Sequence, residues 1–171
     1  MRKSGFEVLG MGFNNTDYPG SFTKPVRDVI ESLLRGKVLH LYSGASLIGD
    51  ERVDITHANA TTNREIGEFI SQDTRYWDWV LLDPPYAVKR VKKIEAYGLT
   101  GAISSDVILR RNVKRFLMEH TNNVLWLDTC APMVSGFERV KLWLFLPGGF
   151  HVVRVLSWLR KANSYMFEVP Q

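Results

Sequence analysis

The residues most suggestive of chemistry lie near the middle of the chain. Asp83-Pro84-Pro85-Tyr86 follows the apolar run Trp79-Val80-Leu81-Leu82. Proline fixes φ near about −65° and has no N–H for a sheet, so the pair ends a strand in a stiff turn. Such a turn offers carbonyl oxygens without neighbouring donors, and Asp83 adds a carboxylate. Converging acceptors suit a substrate that donates N–H bonds, such as the exocyclic amine of a base. Tyr86 offers an aromatic face on which a planar ring could stack, worth about 1–3 kcal/mol for a nucleic-acid base. For the motif to be only a strand stop, acid and ring would both have to be incidental.

A second group comes earlier. Tyr42-Ser43-Gly44-Ala45-Ser46 follows the apolar stretch from Lys37. A glycine just past a buried strand lets backbone N–H groups approach a ligand with no Cβ in the way. Taken alone it reads more simply as a turn, since it matches neither the phosphate loop nor the full dinucleotide fingerprint. Asp54 closes the next short apolar run and could accept from two ribose hydroxyls. One strand apart, glycine and acid gain meaning together.

The elements that must position these residues follow from periodicity. Residues 1–22 read as an irregular lead-in to a single domain spanning 1–171. Pro25 opens a helix whose Val26, Ile30, Leu33 and Leu34 share a face, and Gly36 closes it. Strands are expected over 37–42, 52–55, 79–82 and 124–127, with a weaker one at 58–62. Ser105 can cap a helix with Leu109, Val113, Phe116 and Leu117 on one face. Residues 139–146 and 150–159 flank Pro147-Gly148-Gly149 as an antiparallel hairpin. The sum is an α/β fold with three layers, a mostly parallel sheet and a C-terminal hairpin. In such sheets ligands gather at the carboxyl ends of the strands. Ser43-Gly44, Asp54 and Asp83 all fall there.

Composition bounds the class. At 171 residues with 45% hydrophobic content the chain can bury one full core. No apolar run reaches the roughly 18–20 residues of a membrane span, and the N-terminus lacks a secretory apolar region. The single cysteine, Cys130, allows no internal disulfide and is expected to be buried, in a cytoplasmic setting. The histidines have no metal-ligand spacing, and no metal is expected. The net charge of +4 is mild, but between Ala87 and His120 Lys89, Arg90, Lys92, Lys93, Arg110, Arg111, Lys114 and Arg115 face only Glu95, Asp106 and Glu119. That excess reads equally as a solvated surface or as phosphate contacts beside the site.

Asp83-Pro84-Pro85-Tyr86 resembles the catalytic motif of S-adenosylmethionine-dependent amino-methyltransferases that act on adenine N6 or cytosine N4. The order of the other elements is similar to that family too. Thr23-Lys24-Pro25 resembles its lysine-proline element, Tyr42-Ser43-Gly44-Ala45-Ser46 its Phe-x-Gly-x-Gly loop, and Asp54 its ribose-binding acid. The resemblance implies a Rossmann-like class I methyltransferase sheet with the hairpin as sixth and seventh strands. It implies S-adenosylmethionine bordered by Lys24, Tyr42, Ser43, Gly44, Ser46, Asp54 and Asn63, with catalysis by Asp83, Pro84, Pro85 and Tyr86. Ser46 departs from the family's second glycine, and no separate target-recognition domain is expected within these 171 residues. Target choice would then fall to loops, a homodimer or a partner subunit. DNA is the expected nucleic acid, ahead of RNA. The alternatives are ribosomal RNA guanine-N2 methylation and a non-catalytic module that binds cofactor or nucleic acid. Protein glutamine methylation fits less well, because its motif usually begins with asparagine. Cytosine C5 chemistry would need Cys130 in a Pro-Cys context that it lacks.

Overall fold

The computed structural model describes residues 5–12, 21–85, 106–148 and 152–162. Tyr86, Lys89, Arg90, Lys92, Lys93 and Ser105 lie outside the described residues. Eight strands form one sheet in the order β1-β7-β8-β6-β5-β2-β3-β4. They are β1 (Gly5–Gly10), β2 (Val38–Leu41), β3 (Glu51–Asp54), β4 (Thr62–Asn63), β5 (Trp79–Leu82), β6 (Asn123–Asp128), β7 (Phe137–Leu146) and β8 (Arg154–Lys161). Every pairing is parallel except those of β8 with β6 and β7, so β8 alone runs against the rest. The mostly parallel α/β sheet and the C-terminal hairpin are as the sequence implies. Among the described residues no helix is long and apolar enough to cross a membrane.

Strands β2 and β5 are buried throughout, the pattern of a parallel sheet covered on both faces. On one face, α1 (Lys24–Leu33) packs Val26 and Ile30 against Val38, Trp79, Leu81, Leu125, Leu127 and Leu156. On the other, α2 (Ile66–Gln72) and α3 (Val107–His120) cover Leu39, Leu41, Val80, Leu82, Val124 and Trp126. Gly36, at φ 74°, turns the chain from α1 into β2, and a Cβ there would stand 2.2 Å from Asp78 Oδ2. That oxygen accepts from Lys37 N at 2.7 Å, which ties the start of β2 to the segment entering β5.

Three expectations need correction. The lead-in contains β1, a sheet-edge strand parallel to β7: Glu7 meets Lys141 and Trp143, while Phe6 and Val8 stay exposed. The weak third strand is displaced to β4, and α2, unexpected from the sequence, follows it. The cap of α3 is Asp106, whose carboxylate accepts from Leu109 N at 2.9 Å.

His40 shows how tightly the α1 face is closed. It is fully buried in β2, stacks on Phe22 at 5.7 Å between centroids, and its Nδ1 lies 3.0 Å from the Ile48 carbonyl oxygen. Burial holds its imidazole down to about 4 from an ordinary 6.5. A histidine that resists protonation when folded contributes stability above its unfolded value and loses it as pH falls from 6.5 towards 4. His40→Phe is therefore expected to lose less stability than the wild type on acidification across that window, as read by urea midpoints at successive pH values. An unchanged difference between the two proteins would rule this out.

Candidate functional site

The sheet reverses its direction of growth between β2 and β5. From β2 the chain proceeds outward through β3 and β4, and from β5 it proceeds the other way through β6. At such a switch point the connections diverge and leave a crevice at the carboxyl ends. The Ser43-Gly44 turn leaves β2 there, and Asp83-Pro84-Pro85 leaves β5. Leu41 pairs with Leu82 in register, and Asp83 N donates to the Leu41 carbonyl oxygen at 3.4 Å. The two sequence motifs are thus direct neighbours. Asp54 ends β3 and Asn63 ends β4, at the same rim of the sheet.

Local conformation at the β2 exit is unusual. Tyr42 has φ 62°, a left-handed conformation that costs a non-glycine residue about 1–3 kcal/mol. Strand alternation would send its side chain to the α1 face with Val38 and His40. The positive φ turns it instead to the α2 and α3 face, where it packs beside the core containing Leu109. Its hydroxyl is buried without a hydrogen-bond partner, and burial pushes the phenol's pKa upward. Gly44 follows at φ 48°, and its N–H donates to Asp54 Oδ2 at 3.0 Å. Ser43 is buried, and its Oγ also has no partner.

Asp54 is heavily engaged. Besides Gly44, Thr56 N and His57 N donate to its Oδ1 at 3.1 and 3.0 Å. An ionised carboxylate has about four lone-pair sites, so about one is left for a ligand. Asn63 is exposed and donates through Nδ2 to the carbonyl oxygens of Asp54 and His57. Ser46 accepts from Ile48 N at 3.1 Å. Lys24 is exposed at the start of α1 and pairs with Asp28 one turn along. No helix follows the Ser43-Gly44 turn: residues 42–50 lead directly into β3, shorter than the roughly dozen residues of a helical crossover. They leave a groove of about 690 Å³ between themselves and α1, lined by Phe22, Arg27, Ala45, Ser46, Leu47 and Ile48 among others. Of the expected cofactor residues only Ser46 lines it, and it does not include Asp83.

Asp83 is held by the hairpin. Arg154 Nη2, from β8, donates to Asp83 Oδ1 at 2.7 Å, with the two side chains only 10% and 14% exposed. Local sequence did not single out Arg154. The available signal was a lone charge inside the apolar run Val152-Val153-Arg154-Val155-Leu156. Asp128, buried at the end of β6, accepts from Trp126 Nε1, Thr129 N and Thr129 Oγ1. Burial pushes the Asp83 carboxyl up to about 7; Arg154 pulls it down, and Asp128 pushes it up again. Arg154 shifts downward for the same first reason, loss of water.

Arg110, Arg111, Lys114 and Arg115 lie on α3, with Arg111 and Arg115 exposed and Arg110 and Lys114 half-buried. Cys130, expected to be buried, is exposed just after β6. Partial burial and the neighbouring Asp128 push its thiol upward, the opposite of what an activated nucleophile needs. Comparison with protein-family models gives no match, and comparison with curated proteins gives no significant relative.

Proposed function

We propose that this chain is an S-adenosylmethionine-dependent N-methyltransferase acting on the exocyclic amine of a nucleic-acid base, adenine N6 in DNA foremost. The observation that carries the proposal is the adjacency, at one switch point, of the Tyr42-Ser43-Gly44 turn and the Asp83-Pro84-Pro85 turn. The sheet supports the class I methyltransferase form of the Rossmann-like fold. Counted from β2, the sixth and seventh strands are the hairpin, with the seventh reversed beside β6.

The chain's own residues fit the cofactor in part. Ser43 Oγ, buried and without a partner, is a polar atom suited to the methionine portion, and Gly44, at φ 48°, carries no Cβ beside it. Asp54 has room for one ribose hydroxyl rather than two. Lys24 would have to leave Asp28 to reach a carboxylate. When bound, S-adenosylmethionine supplies a sulfonium methyl: as the base nitrogen's lone pair bonds to that carbon, the C–S pair goes to sulfur, and the nitrogen sheds a proton. Asp83 accepts the amine's N–H and takes up that proton, and the Pro84 carbonyl helps orient the amine. Tyr86 stacks on the base, which must leave its duplex stack to enter. Catalysis rests on alignment and on stabilising charge that develops at nitrogen.

The test is incubation of the full chain with labelled cofactor and DNA or RNA, followed by digestion to nucleosides. N6-methyladenine is expected. N4-methylcytosine or N2-methylguanine would move the target, and no cofactor uptake by calorimetry would overturn the proposal. The basic stripe has its own test. Each phosphate contact contributes about 0.9 to the slope of log affinity against log salt on duplex DNA. Replacing the exposed Arg111 and Arg115 by Gln should therefore flatten the slope by about 2. An unchanged slope returns the stripe to ordinary surface charge.

A second reading, a binding module without turnover, is favoured by the three backbone N–H groups that already occupy Asp54. It predicts cofactor uptake with no methylated product.

A further inference from the structure

We infer that Arg154 is a positioning residue of this site: from β8 it reaches past β6 to hold the Asp83 carboxyl aimed at the strand ends. The inference rests on the function proposed above.

Arg154 is out of keeping with its surroundings. It alternates with Leu156 and Trp158 on the α1 face of β8, and Leu156 is completely buried. Arg154 itself is only 8% exposed. Burying a guanidinium is costly unless it is paired, and a well-packed apolar residue of similar volume generally stabilises as well or better. A side chain serving stability alone would be Leu or Met. What a guanidinium adds is a rigid planar set of donors, one of which, Nη2, bonds Asp83 Oδ1 here.

The groups on the adjacent strands act differently. On β6, the strand between the two, Leu127 shares the α1 face and is buried. The next residue on β6, Asp128, is an acid and pushes the Asp83 carboxyl towards its neutral form. On β2, Tyr42 carries its phenol to the opposite face. From β8, the Arg154 guanidinium is a cation that faces Asp83. Without it, burial and Asp128 both favour a protonated Asp83, which cannot accept the proton of an attacking amine.

The test compares wild type, R154K and R154Q as full chains, in methyl transfer from labelled cofactor to DNA between pH 5.5 and 9. Thermal unfolding of each protein at the same pH values shows that it is folded. Transfer by the wild type should rise with pH through the neutral range. In R154Q the rise should move upward by about one pH unit, roughly the effect of a lost opposite charge close by. Transfer at pH 7 then falls about fivefold and recovers almost fully at pH 9, with cofactor affinity little changed. R154K keeps the charge without the planar donors, so its rise should stay in place while its plateau drops. A folded R154Q whose pH profile overlays the wild type overturns the inference and leaves the proposed function standing. A wild type that methylates nothing removes the function itself. If R154Q does not fold, R154K decides: a plateau equal to wild type overturns the inference.

Discussion

Asp83→Asn lowers methyl transfer by about 10²–10⁴-fold, the usual worth of a positioned proton acceptor. The amide is nearly isosteric, and its oxygen can still accept from Arg154, so the buried cluster stays closed. What disappears is the anionic oxygen that receives the amine's proton. Cofactor uptake should stay close to wild type, because the Ser43-Gly44 turn and Asp54 belong to β2 and β3 rather than to β5. The variant is assayed by single-turnover transfer, with calorimetry for uptake. It also has a signature in stability. A carboxyl held near 7 when folded, against 3.8 unfolded, contributes stability at low pH that is lost as pH rises through about 7. Asp83→Asn removes that loss, so relative to wild type it gains stability from pH 4 to 7. The His40 effect has the opposite sign over much of this window, so wild type alone shows a flattened profile and the variants separate the two. A variant that transfers at the wild-type rate would remove Asp83 from the mechanism.

Much of the frame was legible because buried parallel strands announce themselves. Trp79-Val80-Leu81-Leu82 is apolar throughout, and its bounds in the sequence and in the fold coincide. The helix faces of α1 and α3 were legible for the same reason: Val26 with Ile30, and Val113 with Phe116 and Leu117, repeat at helical spacing and are buried. Strand β1 was not legible, since its alternation covers only a few residues between glycines and its pairing comes from β7, far along the chain. Helix α2 is short and offers only Ile66, Phe69 and Ile70 as a pattern. At the site, the turn residues were visible and their partners were not. Tyr42 changes face through one dihedral that no alternation pattern encodes. Arg154 meets Asp83 only after β8 has been inserted beside β6. Lys24 shows the reverse. Its i,i+4 partner Asp28 was readable from local spacing, while the family resemblance pointed its ammonium at the cofactor.

Breaking the Asp83–Arg154 pair should cost unequal amounts from its two ends. Asp83→Ala leaves a buried guanidinium that cannot shed its proton, and removing one partner of a buried pair costs about 3–5 kcal/mol. Arg154→Met leaves a carboxyl that can escape by taking a proton, at about 1.4 kcal/mol per pH unit above its pKa. With that carboxyl already pushed up to about 7, the escape is inexpensive at neutral pH and nearly free at pH 5. Arg154→Met should therefore be the milder variant, and milder still in acid, whereas the Asp83→Ala cost should persist at low pH. The double variant Asp83→Leu/Arg154→Met removes both charges and should regain most of the loss, within about 1–2 kcal/mol of wild type, because apolar packing commonly matches a buried ion pair. Urea midpoints at pH 5 and pH 7.5, with slopes compared to verify two-state unfolding, give all four corners of the cycle. Equal single costs that simply add in the double variant would mean that the two side chains do not act as a pair. Strong recovery of stability without recovery of transfer would mean that the ion pair is kept for the carboxylate it aims, since the fold holds without it.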